Sequence, residues 1–483
     1  MFPIPNPSDY DVSTTNGFLP TQAPLEHLPQ SYYEPWEYTM KNLQGLMLSG
    51  RLGETVDKMP VLSTEQLVGE AQWRRAYSIL AFMAHAYIWG GDKPSERVPP
   101  SITVPFLATC KTLELPTVAT YAGLVLWNWK PIFDAERMDT LANLDTIETF
   151  TGALDEKWFY LISVAIEARA GPIVPLMLHA VESARNGDAN SVTECLRTFA
   201  ERLDELGVML SRMYDNCDPH VFYHRIRPFL AGSKNMKDAG LPNGVVFDNG
   251  GAINKQRYVQ FSGGSNAQSS IIQFFDIVLG VEHHPTGTSK QSPQPAERKA
   301  KKAAAPNFIH EMRQYMPGPH ARFLEAVTRV ANIRAFVDEH NYDRDLRLSF
   351  DACVAMLSAF RDKHIQMVSR YIIIKSAEAK KAANKADEAR QQKINIAYRR
   401  RKATSKDEGG RDVDRSERGT GGTSLIPFLR QARNETGEQA VEAWTRRILN
   451  NKGRSCARDA HERHVEQGLS AVWKIDNGGI CYH

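Results

Sequence analysis

Large apolar residues return every three or four positions along most of this 483-residue chain, and that spacing admits helices and little else. One stretch, FRDKHIQMVSRYIII at residues 360–374, adds a second constraint. At helical pitch Leu357, Phe360, His364, Met367, Val368 and Tyr371 share a face, so an imidazole lies inside an apolar stripe. Two readings are open. A buried histidine can bond a backbone carbonyl, or a neutral imidazole can be presented to a metal or a haem iron across a dry pocket.

The same spacing predicts helices over 65–90, 102–130 (punctuated by Pro105 and Pro116), 154–181, 191–215, 221–231, 269–280, 308–316 and 321–340, with the His364 helix last. The expected class is all-α. LPNGVVFDNGGAINKQRYVQF, residues 241–261, sets two turn dipeptides between β-rich runs and predicts a small β-hairpin excursion. The pattern divides into a small helical domain (1–145), a larger one (146–435) and a C-terminal tail (436–483). Two stretches, 285–307 and 376–418, are polar, rich in Lys and Arg and poor in aromatics, as solvated or disordered insertions are. Apart from Tyr398 no stacking aromatics interleave the basic runs, so no nucleic-acid partner is expected.

A net charge of +3 with 24% charged residues fits an ordinary soluble protein. Six cysteines without CxxC pairing disfavour a disulfide framework or structural zinc and suit a reducing, cytoplasmic setting. Cys456, His461 and His464 belong to an expected exposed amphipathic helix rather than a metal site. The opening MFPIPNPSDYDV lacks the basic start and apolar run of a signal peptide and reads as a disordered lead-in. The apolar segment 161–181 is interrupted by Glu167, Arg169 and two prolines, so no membrane span is expected.

Four segments mix large apolar residues with polar groups that a core would not retain without a purpose. Phe159 and Ser163 are helical neighbours. Phe222 and Arg227 lie one and a half turns apart and can border one cavity only if the helix is irregular there, as Pro228 suggests. FSGGSNAQSS (261–270) places Gly263 and Gly264 before a helix start, which permits close backbone approach and free N–H donors. GTGGTSLIPFL (419–429) repeats that chemistry without the GKS/T of a P-loop. Singly, each has an ordinary alternative: Ser163 bonding its own backbone, Arg227 in a surface ion pair, GTGG as a connector.

In order along the chain, RAYSILAFMAHAYIW, LELPTVATYAGLVLWNWK, FSGGSNAQSSIIQFFDIVLG, MRQYMPGPHARFL, the His364 helix and GTGGT resemble the indoleamine 2,3-dioxygenase family, as a fungal-type member with long polar insertions. The resemblance covers roughly residues 20–435. It implies a two-domain helical haem dioxygenase fold that binds haem b, with His364 as the iron ligand and Gly264 and Ser265 against the cofactor. It implies a substrate pocket of Tyr121, Leu124, Val125, Phe159, Phe222, Arg227, Gly264 and Ala267, with Thr420 on a closing loop, and catalytic roles for Ser163 and Arg227. The implied reaction joins both atoms of O2 to L-tryptophan, opening the indole C2–C3 bond to give N-formylkynurenine on the kynurenine route towards NAD. A monomeric, cytoplasmic enzyme follows by the same likeness, with the reductant unspecified. No histidine or carboxylate stands among the matched pocket residues, which suits a reaction without distal acid–base chemistry, and His224 is expected to be structural. The chain departs from the family at Leu124, where mammalian members carry cysteine, and at Ala267, where glycine is usual. Those departures and the insertions leave a second reading, a weakly active or non-enzymatic haem-binding sensor; a haem-free helical scaffold is the third.

Overall fold

The structure, a computed structural model, describes residues 2–134, 136, 140–252, 257–285, 307–388, 419–420 and 425–455, without side chains for 383–388 and 450–455. Helices dominate it. Two long ones form the frame on which the others pack. Ala189–Ser211 begins where the Asp188 carboxylate accepts from the Ser191 N–H at 3.0 Å, and it buries Val192, Cys195, Leu196, Phe199, Leu203, Leu206 and Leu210 at three- and four-residue spacing. Arg344–Val368, 25 residues long, is capped by Asp343 and buries Leu346, Phe350, Cys353, Val354 and Leu357 against the first. One contiguous cluster of buried apolar side chains runs from Val12 to Leu449, with a small satellite of Val118, Phe308, Met312 and Tyr315 beside it.

The expected helix over 102–130 is really two pieces. Pro100–Leu113 contains Pro105 without breaking, and the chain leaves it through Glu114, which adopts a left-handed conformation (φ 55°) two residues before Pro116. Ala122–Leu126 then forms a π-helical turn in which the Trp127 N–H reaches the Ala122 carbonyl five residues back. The segment 154–181 also divides, into Leu154–Ala170 and Ile173–Arg185 at Gly171–Pro172. This Leu154–Arg185 stretch is long and apolar enough to cross a membrane by composition, yet 72% of its most apolar window is buried within the protein, as in a core helix.

The N-terminal segment is not the disordered lead-in its prolines suggested. Val12, Phe18 and Leu19 are buried, Asp11 pairs with Arg74, and Phe18 meets His320 edge-on at 5.0 Å. A pair of glycines permits this docking: a Cβ at Gly171 would fall 2.5 Å from the Thr15 carbonyl oxygen, and Gly17, at φ 61°, passes directly beneath. The first part of the second insertion also differs from expectation, because Lys375–Glu388 continues as helix. KSAEAKKAANKADE is rich in Ala, Lys and Glu, strong helix formers that need no apolar face. The remainder of that insertion up to 418, and 286–306 of the other, lie outside the described residues, as do Cys456, His461 and His464. Nor do residues 436–449 simply trail away: Asp351 accepts from the Val441 and Glu442 N–H groups, and Leu449 joins the core.

The predicted hairpin is present as Val245–Phe247 paired antiparallel with Tyr258–Val259, and it gains a parallel partner in Arg97–Val98. A second small pair joins Lys130–Pro131 to Leu144–Asp145.

The helix that carries Phe159 and Ser163 is held at its start by Glu156. Its buried carboxylate accepts from the Phe150 N–H at 2.8 Å, the Thr151 N–H at 2.7 Å, the Thr151 hydroxyl at 2.6 Å and the Tyr160 hydroxyl at 3.1 Å. Glu156→Ala leaves one buried and one part-buried N–H group without acceptors and is expected to cost about 2–4 kcal/mol in chemical denaturation; an unchanged unfolding midpoint contradicts that role.

Candidate functional site

All the residues marked by the resemblance meet at one cavity of about 250 Å³. Tyr121, Leu124, Val125, Phe159, Ser163, Phe222, Arg227, Gly264, Ser265, Ala267, His364 and Thr420 line it. His224 does not; it is buried beside His220, with ring centroids 4.3 Å apart.

The cavity owes its shape to helices that widen where they reach it. Phe222–Ile226 is a π-helical turn whose Phe222 carbonyl accepts from the Arg227 N–H, and this irregularity turns both Phe222 and Arg227 inward. The Ala122–Leu126 turn delivers Leu124 and Val125, and a third wide turn, Ser369–Ile374, delivers Tyr371 and Ile372. Phe159 and Phe222 lie 4.9 Å apart, tilted by 49°, and Tyr371 meets Phe222 edge-on at 5.7 Å, so the aromatic wall holds one ring more than the sequence pointed to. The Arg227 guanidinium sits 5.5 Å above the Tyr223 ring.

Across the cavity, the stripe on the Arg344–Val368 helix changes function along its length. Its first half fills the core. Its second half, Phe360, His364, Met367 and Val368, lines the void. The His364 imidazole is half-buried, and among the described residues neither ring nitrogen has a hydrogen-bond partner. Burial, helped by the Arg361 guanidinium one turn before it, lowers its pKa to about 4, so the ring is neutral at physiological pH. His85 shows the contrast. It too lies in an apolar helix with its pKa lowered to about 4 by burial, but its Nδ1 is 2.7 Å from the Phe229 carbonyl and its Nε2 accepts from the Ala119 N–H at 2.9 Å. His85 is a satisfied core histidine, whereas His364 offers a neutral nitrogen to a cavity walled by aromatic and aliphatic side chains. That arrangement fits a haem held by the His364 imidazole.

Two glycine loops close one side. At Gly263 a Cβ would lie 2.1 Å from the Leu230 carbonyl oxygen, so only glycine lets this loop pass. The expected free N–H of Gly263 is not free: it donates to the Thr420 carbonyl at 3.1 Å, while the Thr420 hydroxyl donates to the Gly264 carbonyl at 2.7 Å. The Gly419–Thr420 end of the second loop is thus pinned to the first, and residues 421–424 lie outside the described residues. Gln268 ties the loop to Tyr121, its Oε1 accepting from the Tyr121 N–H at 2.9 Å and its Nε2 donating to the Gly263 carbonyl at 2.9 Å. Ser265 accepts from the Ala267 N–H at 3.3 Å, and the Ala267 side chain packs on the Phe308 cluster.

Sequence reasoning missed the group behind His364. Arg361 donates to both Asp276 oxygens, at 2.8 and 2.7 Å, and His283 bridges Asp276 at 3.0 Å to Glu435 at 2.7 Å. Burial alone would raise the Asp276 pKa, yet Arg361 and His283 hold it below the usual carboxylate value. Burial would likewise lower that of His283, and Asp276 and Glu435 hold it above the ordinary value. The three-residue offset of Arg361 from His364 was the available signal; its acidic partners come from distant segments.

At Gly264 an added Cβ would fall 2.5 Å from the Leu124 Cδ1, which lines the cavity. Gly264→Ala is expected to displace that methyl and weaken indole binding by about 1–3 kcal/mol, read by ligand titration at unchanged circular dichroism; undiminished affinity contradicts the close contact.

Comparison with known proteins identifies the family. The family described as indoleamine 2,3-dioxygenase matches residues 6–439. An indoleamine 2,3-dioxygenase of Saccharomyces cerevisiae is 39% identical over 446 residues, 90% of this chain and 94% of the relative. A 6-hydroxytryptophan 2,3-dioxygenase of Fusarium equiseti is 37% identical over 90% of this chain and 97% of its own length, and indoleamine 2,3-dioxygenase 1 of Rattus norvegicus is 30% identical over 90% and 96%. The chain, with its neutral imidazole facing an aromatic slot, belongs to the indoleamine 2,3-dioxygenase family of haem-dependent indole dioxygenases.

Proposed function

We propose that the protein opens the indole C2–C3 bond of L-tryptophan with O2 to give N-formylkynurenine. The observation that carries this reading is the meeting, in one cavity, of a neutral His364, an aromatic wall and the Arg227 guanidinium. Haem b, when bound through His364, supplies the iron at which dioxygen is activated. The protein's own residues select and hold the substrate. Phe159, Phe222 and Tyr371, tilted and edge-on to one another, offer the indole an apolar wall of ring faces and edges. Arg227 offers the carboxylate a planar, permanently charged fork whose two parallel donors a lysine cannot reproduce. Thr420, fastened to Gly264 by its hydroxyl, adds a polar group to the cavity wall on the substrate side. Ser163 contributes a hydroxyl at the cavity wall, Gly264 and Ser265 would border the haem, and the segment up to residue 145 would cap the substrate side through Tyr121, Leu124 and Val125.

Ferrous protein supplied with L-tryptophan and ¹⁸O2 is expected to form N-formylkynurenine carrying two labelled atoms; a product with one or none contradicts the assignment. Running 6-hydroxytryptophan in parallel identifies the preferred indole. Arg227→Ala is expected to cost about 2–5 kcal/mol of tryptophan affinity, at least about thirtyfold, with Arg227→Lys recovering little of it; equal binding by all three proteins removes Arg227 from the carboxylate site.

A further inference from the structure

Behind the aromatic slot lies a carboxyl group that the reading above does not use. Glu167 follows Ser163 by one turn on the Leu154–Ala170 helix and is 1% exposed. Its Oε1 accepts from the Tyr121 hydroxyl at 3.0 Å and from the Ser269 hydroxyl at 2.7 Å. Its Oε2 is buried with no hydrogen-bond partner among the described residues. Tyr121, Ser163, Ile166 and Ser269 all line the cavity, so this carboxyl stands one side chain behind the wall.

Among the described residues the surroundings of Glu167 hold no counter-charge. Tyr121 faces it from the turn before Ala122–Leu126 and Ser269 from the start of the Ser270–Val278 helix, while Ser163 lies one turn before it on its own helix. Arg169, two residues on, pairs with Glu205 instead, at 3.2 Å. The N-terminal segment meets this helix at Gly17, backbone against backbone. A buried carboxylate without a cation and with one oxygen unpaired is costly in its charged form, and the neutral acid relieves most of that cost.

We propose that Glu167 is a positioning residue for the indole slot, and that an indole entering the cavity drives a proton onto it. The inference rests on the reading that the cavity receives an indole. An apolar ring that replaces solvent beside Tyr121 and Ser269 removes polarisable medium from the carboxylate and favours the neutral acid further. Burial, opposed by the Ser269 and Tyr121 hydroxyls, already raises the pKa of Glu167 from the usual carboxylate range to about 7. Occupation raises it again. By linkage, substrate affinity is then greatest below the pKa of the empty site and falls as pH rises towards that of the filled one.

Calorimetric titration of the ferric, haem-loaded protein with L-tryptophan and with indole, in buffers of different ionisation enthalpy, tests this. The expected result is uptake of about half a proton per ligand, greatest midway between the two pKa values, with affinity about tenfold weaker near pH 9 than near pH 6 for a pKa rise of about one unit. Glu167→Gln is expected to bind without proton uptake and with level affinity across that range. Ser269→Ala, which removes one donor to the carboxylate, is expected to move the inflection to higher pH, a shift that a merely structural contact does not produce. Binding of either ligand without proton uptake overturns the inference, as does a pH dependence that persists in Glu167→Gln. Should Glu167→Gln fail to fold, the wild-type uptake and the Ser269→Ala shift decide alone. Indole binding with proton uptake while tryptophan fails to bind overturns the tryptophan assignment and keeps this one; failure of both ligands to bind overturns both.

Discussion

A polar ring nitrogen in an apolar wall needs a partner, and the site turns on the fact that the described residues give His364 none. His85 shows that the same chain, in the same kind of helix, satisfies a buried imidazole completely. At position 364 burial leaves the ring neutral and directed at a void, and the free energy of the missing hydrogen bond is available to a ligand. The helix beneath is held at many points: Asp343 at its start, Asp351 on the Val441 and Glu442 amides, Arg361 on Asp276, Asp362 on Arg433. An imidazole carried on so firmly fixed a helix loses little further freedom on ligation.

The opposite wall is built by a different device. Regular helices present side chains at 100° intervals, which would carry Phe222 and Arg227 to different faces. One extra residue in the turn brings them together, and the same widening occurs at Ala122–Leu126 and Ser369–Ile374. Each such turn gives up regular hydrogen bonding, a local cost that the surrounding core has to offset. Their shared location around the cavity ties that cost to the site.

Much of this was legible in the sequence, for physical reasons that can be named. The stripe from Leu357 to Tyr371 is a periodicity, and periodicity survives without knowledge of the partners it packs against. Pro228 marked the irregular turn at Phe222 and Arg227. The hairpin followed from its turn dipeptides, but its parallel partner Arg97–Val98 is a two-residue strand with no pattern of its own. The docking of the N-terminal segment was illegible because it depends on Gly17 meeting Gly171, a contact between residues 154 positions apart that carry no side chain. Gly263 was read correctly as a close approach and incorrectly as a free donor, since the acceptor at Thr420 comes from a distant loop. Glu167 was read only as an interruption of an apolar run; a lone carboxylate in such a helix reveals its function once its neighbours Tyr121 and Ser269 are known.

The central claim is that the imidazole at position 364 meets a haem iron across this cavity, and replacing that side chain by an added one tests it most directly. Haem titrated into His364→Gly protein should give weak binding without the Soret band of an imidazole-ligated haem, and free imidazole should restore both. Tight haem binding by His364→Gly in the absence of imidazole, with the wild-type spectrum, would contradict the account.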